Sequence, residues 1–167
     1  MFNQTRADSH NLVLGDQNNH LSYGGAVTGV NNLLSAGAFF AAVTGGRDNI
    51  ARGDHASVSG GTSATVSGQY GAVSGGANNV ASNYSCAASG GNTNKAIGLN
   101  AWAGGGNLNT VTGFAAAISG GTSSTAGGQE AAVSGGESNR AESTLYGWRA
   151  GNEQSEGAIV PYNLVSH

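Results

Sequence analysis

A pair of adjacent glycines recurs every fifteen residues. Gly45-Gly46, Gly60-Gly61, Gly75-Gly76, Gly90-Gly91, Gly105-Gly106, Gly120-Gly121 and Gly135-Gly136 hold this register without a break. A short fixed period is the mark of a repeat architecture, in which each unit buries its apolar face only against its neighbours. A fifteen-residue unit is too short for a helix pair, which takes about 33 residues or more. Two or more glycines per unit also oppose helix, at ~1 kcal/mol each.

Position 1 of the unit is the residue before the Ser or Thr that precedes the glycines. It is Val43, Val58, Val73, Ala88, Ala103, Ile118 and Val133. Position 2 is Ser or Thr except at Gly104. Position 7 is Asn at Asn49, Asn79, Asn94, Asn109 and Asn139, with Ala64 and Ser124 as exceptions. Position 9 is Ala or Val, and position 11 is mostly Gly, with Asn83 and Ser143 substituting. Looser versions precede this run at 13–25 and 27–37. The pattern predicts an all-β chain, a parallel β-roll or β-solenoid of about nine fifteen-residue coils. Stacking at about 4.8 Å per coil gives a rod roughly 43 Å long. The expected organisation is an N-terminal segment or cap at 1–12, the roll at 13–147, and a C-terminal cap or docking tail at 148–167.

Each coil is expected to hold two strands, at positions 14–3 and 7–10. Glycines at positions 4 and 11 then make the bends, where positive φ comes cheaply only to glycine. Asn83 fits such a bend, because Asn tolerates that conformation best among the rest. Alternation turns positions 1, 3, 7 and 9 inward. The position-7 asparagines are expected to stack as a side-chain amide ladder. That interior is thin. Apolar burial returns about 25 cal/mol per Å², whereas ordering takes ~1.5 kcal/mol per residue. A lone roll is therefore marginal, and association, most simply of three chains about an axis, is expected to complete the burial.

The segment "ASVSGGTSATVSG" (56–68) resembles the head repeat of trimeric autotransporter adhesins, roughly S-V-A-I-G-x-x-S-x-A-x-G-x-x-A. The likeness runs through Val58, Val73 and Val133, through Gly61, Gly76 and Gly136, through Ala51 and Ala81, and through Gly53 and Gly68. It covers about residues 13–147. Similar repeats occur in bacteriophage tail fibres and spikes. The resemblance implies a left-handed, homotrimeric parallel β-roll at a bacterial surface or on a phage virion. It carries no catalytic residues with it. One departure is the first glycine of each pair, where that family places Ile or another apolar residue.

Composition narrows the function classes. Charged residues are 9% of the chain and the net charge is −3, with six scattered Lys and Arg residues. Nucleic acid is not an expected partner, because phosphate binding needs clustered cations. No apolar run approaches the ~20 residues of a membrane span, and the N-terminus lacks the apolar core of a secretory signal. Cys86 is the single cysteine and reads as a small buried residue.

Enzyme constellations are not found. His10, His20, His55 and His167 lack metal-ligand spacing. Asp54-His55 occurs in one coil and reads as a solvated turn. Glu130, Glu137 and Glu142 are isolated along the chain, so a glycosidase carboxylate pair is not expected. Asp48 alone follows a glycine pair at the spacing a calcium solenoid needs. Asn3-Gln4-Thr5 and Asn83-Tyr84-Ser85 match the glycosylation triplet by chance. No catalytic, cofactor or metal residue is expected.

Large side chains in the regular array gather between positions 12 and 15, at Tyr70, Tyr84, Trp102, Phe114 and Tyr146. These are the candidate surface, either between chains or toward a glycan or host receptor. The expected function is a non-enzymatic fibre or adhesin head that presents an attachment surface. The alternatives are a phage fibre or capsid-attached spike with a purely structural role, joined to other virion proteins, and an ice-binding solenoid built on the position-2 hydroxyls.

Overall fold

The structure is a computed structural model and describes residues 10–142 and 146–151. Over the described residues the chain winds as a parallel β-solenoid of two sheets, one of ten strands and one of nine. Successive strands alternate between the sheets, and each pairs with the strand one coil away. The first strands are the longest, at Leu12–Asp16 and Ala26–Val30. From Ala42–Val43 onward every strand is two residues long. The ten-stranded sheet is built from positions 15 and 1, such as Ala72–Val73, and the nine-stranded sheet from positions 8 and 9, such as Val80–Ala81. A third column of single bridges links position 5 from coil to coil, from Arg47 through Thr62 and Ala77 to Glu137. Among the described residues no helix is long and apolar enough to cross a membrane.

The short strands follow from the sequence. A two-residue strand can bury only one side chain, and that residue is Val, Ile or Ala at position 1 and Ala or Val at position 9. Val43, Val58, Ile118, Val66 and Val111 are fully buried. Position 14 closes the interior with Ala56, Cys86, Ala101 and Ala116. Each residue stacks on its counterpart in the next coil, so the core is one continuous column.

The turns correct two sequence expectations. Glycine at position 4 does adopt positive φ, from 77° at Gly91 to 103° at Gly136. Glycine at position 11 does not. It is there because a Cβ at Gly53 would stand 2.2 Å from the carbonyl oxygen of Gly68 in the next coil. Asn83 accordingly is not a left-handed residue. The other left-handed residues of the regular coils are at positions 6 and 13 and are not glycine, as at Asp48, Thr93, Leu108, His55, Tyr70 and Ala115. Their N–H groups point the other way along the rod. Ile50 donates to Ala64 in the following coil, whereas Ser63 donates to Arg47 in the preceding one and Tyr70 to Asp54. Reversing the peptide in this way satisfies the backbone on both sides of each coil, and so holds a conformation that disfavours L side chains.

The first glycine of each pair also differs from expectation. A Cβ at Gly60, Gly75, Gly90, Gly105 or Gly120 would meet nothing within 4 Å. Position 3 therefore faces outward and is no part of the core. The apolar residue that the adhesin repeat carries there is not missing from this interior.

The asparagine column is buried, but it is no amide-to-amide ladder. Asn94 Nδ2 donates to the carbonyls of Gly90 in its own coil (2.8 Å) and Gly106 in the next (2.9 Å). Its Oδ1 accepts the backbone N–H of Asn109 at 3.0 Å. Asn32, Asn49, Asn79 and Asn109 repeat this bonding in whole or part. At Ser124 the hydroxyl takes over one role, accepting from the N–H of Asn139 at 3.3 Å. Each amide thus ties a glycine turn to the body of its coil and one coil to the next.

Among the described residues Leu12 lies in the first strand, and Trp148–Arg149 is the last strand, paired with Ala132–Val133. Of the tail expected at 148–167, residues 152–167, His167 included, lie outside the described residues, as does Asn3.

Candidate functional site: an aromatic edge and an uncharged face

The segment from position 12 to 15 looked like one surface in sequence. The structure divides it into three. Positions 12 and 13 form the turn at one edge of the solenoid. Position 14 points into the core. Position 15 lies on the outer face of the ten-stranded sheet.

The edge carries a column of rings. His10, Tyr23, Phe40, His55, Tyr70 and Tyr84 follow one another from coil to coil, with centroids 5.0 to 6.1 Å apart. The spacing arises because position 12 or 13 of each coil sits one β-repeat above the last. His55 is stacked on Tyr70 at 5.0 Å and 23°, and tilted against Phe40 at 5.4 Å. The other contacts, His10–Tyr23, Tyr23–Phe40 and Tyr70–Tyr84, are edge to face, and Tyr23, Phe40, Tyr70 and Tyr84 stay exposed. Tyr70 and Tyr84 belong to this column. Phe114 and Tyr146 occupy the same edge farther along, both exposed.

Trp102 is elsewhere. It begins the strand Trp102–Ala103 and lies on the outer face of the ten-stranded sheet. Its Nε1 donates to Ser89 Oγ at 2.9 Å. A Cβ at Gly104 would stand 2.8 Å from the indole benzo ring. The indole therefore rests on Gly104, which explains why this coil breaks the position-2 hydroxyl column. Trp148 repeats the hydrogen bond, its Nε1 donating to Ser134 Oγ at 2.8 Å, with Ala150 where the Trp102 coil has Gly104. Sequence reading passed over Trp148 because the single-residue insertion before it shifts it out of register. The strand pairing restores it to position 15, opposite Ala132.

The rest of that face is made of small neutral side chains. Position 15 is Ala or Ser and position 2 is Ser or Thr in every other coil from Ala26 to Ser134. No charged side chain stands in either column over that span. Charged pairs stand elsewhere on the rod, as with Arg47–Asp48 (3.4 Å) and Arg140–Glu142.

Among the described residues no group of three His, Cys, Asp or Glu side chains comes together to hold a metal ion. Cys86 is buried, its Sγ donating to the Asn83 carbonyl at 2.8 Å. Burial pushes its thiol above the ordinary value of 9.0, and backbone hydrogen bonds offset part of that rise. His20, buried in the nine-stranded sheet near the N-terminal end, has neither ring nitrogen hydrogen-bonded, and nearby Ser22 Oγ is unpaired as well. Compared with known proteins, the chain matches no protein-family model and no curated sequence.

Proposed function

We propose that this chain is a non-enzymatic rod that forms the head or shaft of a surface fibre and presents an attachment surface along its length. The observation that carries this reading is where variation is allowed. Interior positions 1, 7, 9, 11 and 14 repeat the same small residues, and they are occupied by core packing and by the asparagine bonding to the glycine turns. Large and varied side chains are confined to the perimeter. Such a solenoid is stiff, offers proteases few loose loops, and displays side chains at a fixed spacing of about 4.8 Å.

The resemblance to trimeric adhesin head repeats supports a left-handed homotrimer on a bacterial surface. The same repeat type in phage fibres supports a virion setting with a structural or assembly role. Sedimentation or light scattering combined with negative-stain images tests the reading. A trimer mass and rods of roughly 40 Å or more per domain are the expected result. A compact monomer of about 16 kDa, matching the chain's 16.4 kDa, would remove the fibre reading.

One observation favours a second reading. Between Thr28 and Ser89 the outer face of the ten-stranded sheet is a regular, uncharged, tryptophan-free lattice of Ala, Ser and Thr, the kind of surface that could order water at ice. Thermal hysteresis measured on the purified protein tests it, and none is the outcome that dismisses it.

A further inference from the structure

We infer that the C-terminal half of the ten-stranded sheet is a binding platform for a neutral, linear glycan, with Trp102 and Trp148 as its two stacking surfaces. The inference rests on the attachment-surface reading above and gives that surface a place and a ligand class.

Three observations support it. First, each indole is held in place by its own N–H, Trp102 on Ser89 Oγ and Trp148 on Ser134 Oγ. With the edge fixed and Trp102 resting on Gly104, the opposite ring face is turned to solvent, and the two side chains are 39% and 67% exposed. An aromatic ring lying against a sheet with one face free is suited to the C–H face of a pyranose ring, which is apolar while its rim is hydroxylated. Second, the indoles begin strands three coils apart in the same sheet. At the β-repeat they are roughly 14 Å apart along the rod, about the span of three or four linked sugar rings. Third, the surface between them consists of Ala117, Ser119 and Ala132, bounded by Ser134 under the Trp148 indole edge, all neutral and with the hydroxyls of Ser119 and Ser134 on the exposed side. Those hydroxyls can donate to or accept from a sugar rim. The lack of charge in these columns selects an uncharged ligand over a sialylated or sulfated one.

The aromatic edge is a poorer platform, although it holds more rings. There His55 stacks on Tyr70 and Tyr70 meets Tyr84 edge to face, so these rings already take part of one another's surface. Trp102 and Trp148 have no ring neighbour of this kind among the described residues.

The test uses the chain's only two tryptophans as its probe. The intact protein is titrated with neutral hexasaccharides, of β-1,4-linked glucose, β-1,4-linked N-acetylglucosamine and α-linked mannose, while indole emission is followed. At least one series should give a saturable change. For that series affinity should rise by tenfold or more as the ligand lengthens from two to four rings, because the second indole then binds within the same complex. Trp148→Ala should abolish the length dependence. Gly104→Ser, which keeps both indoles but places a Cβ and hydroxyl under Trp102, should weaken binding as much as Trp102→Ala does. The far-ultraviolet spectrum and melting temperature of each variant show that it has folded. No saturable change with any of the three series overturns the inference, and so does equal affinity for disaccharide and hexasaccharide. Loss of oligomer mass in Trp102→Ala without sugar binding by the parent chain also overturns it, assigning the face to contacts between copies. The two readings fail separately. A globular image with intact sugar binding would defeat the fibre, and a rod that binds no sugar would defeat the platform.

Discussion

The side-chain oxygen of Asn94 accepts the backbone N–H of Asn109 one coil away, at 3.0 Å, while its nitrogen holds the carbonyl of Gly90 at 2.8 Å. All the groups involved lie in or against the core, where an unpaired polar atom costs about 1–3 kcal/mol. Asn94→Ala should therefore destabilise the rod by roughly 2–5 kcal/mol, read as a shift in chemical denaturation midpoint. Asn94→Asp should be worse, since it presents an oxygen to two carbonyl oxygens. The coil at Ala64 offers the reverse experiment. Ala64 lacks the amide, yet its backbone N–H is already held by Asn49 Oδ1 at 2.9 Å. Ala64→Asn can complete the column and should stabilise the protein by about 1–2 kcal/mol. A neutral or destabilising result there would show that the amides follow the fold and do not hold it.

The two glycines of each pair do different jobs, and substitution should separate them. Gly91 has φ of 77°, and a Cβ there would lie 2.1 Å from the Gly106 carbonyl oxygen. Gly90 has open space on its Cβ side. Gly91→Ala should cost more than ~3 kcal/mol, combining left-handed strain with a backbone collision that one side chain cannot relieve. Gly90→Ala should be near neutral, or stabilise by about 0.4–1 kcal/mol through the unfolded chain. Thermal melts of the two variants side by side decide the matter, and equal losses would contradict the assignment.

These glycines also show what was legible in the sequence. The period, the solenoid and the inward Val, Ala and Asn could be read because repetition multiplies a weak signal from each coil. The sign of φ at positions 6 and 13 could not. Those positions hold Asp48, Thr93, Leu108, His55, Tyr70 and Ala115, residues with no shared preference for the left-handed region. Their conformation is set by hydrogen bonds to the preceding coil, a tertiary cause that leaves no mark in composition. Gly104 is intermediate. It stood out as an exception in the hydroxyl column, but its reason, the Trp102 indole above it, needed the strand geometry. The division of Trp102 from Tyr70 and Tyr84 was hidden in the same way, because position 14 between them turns inward.

Cys86 should be inert in the folded protein. Its thiol is buried and donates to Asn83, so a thiol-specific reagent at pH 8 should modify it only at the rate of unfolding. Because its folded-state value is raised above 9.0, the protonated thiol is favoured in the fold. Its contribution to stability is fully present below pH 9.0 and declines as pH rises from there toward the higher folded value. Cys86→Ala places the residue that neighbouring coils already carry at this position, at Ala101 and Ala116. That variant should fold normally and lose the part of the alkaline decline that belongs to the thiol. Denaturation midpoints of both proteins between pH 7 and 11 measure it. Fast modification at pH 8 in the native state would refute the burial argument.

The aromatic edge is expected to matter for stability and not for sugar binding. Tyr70 stacks on His55 at 5.0 Å and meets Tyr84 edge-on at 5.5 Å, and such pairs are worth about 0.5–1.5 kcal/mol each. Tyr70→Ala should lower stability by roughly 1–3 kcal/mol and leave the Trp emission response to glycan unchanged. Glycine at the same position separates ring loss from backbone strain. Tyr70 has φ of 56°, a conformation that costs an L residue about 1–2 kcal/mol and glycine almost nothing. The greater freedom of glycine in the unfolded chain takes back about 0.4–1 kcal/mol. Tyr70→Gly should accordingly be at least as stable as Tyr70→Ala, although glycine is normally the worse residue in β-structure. If Tyr70→Ala instead left the melt unchanged and removed glycan binding, the attachment surface would belong on the edge, and Trp102 and Trp148 would lose their assigned role.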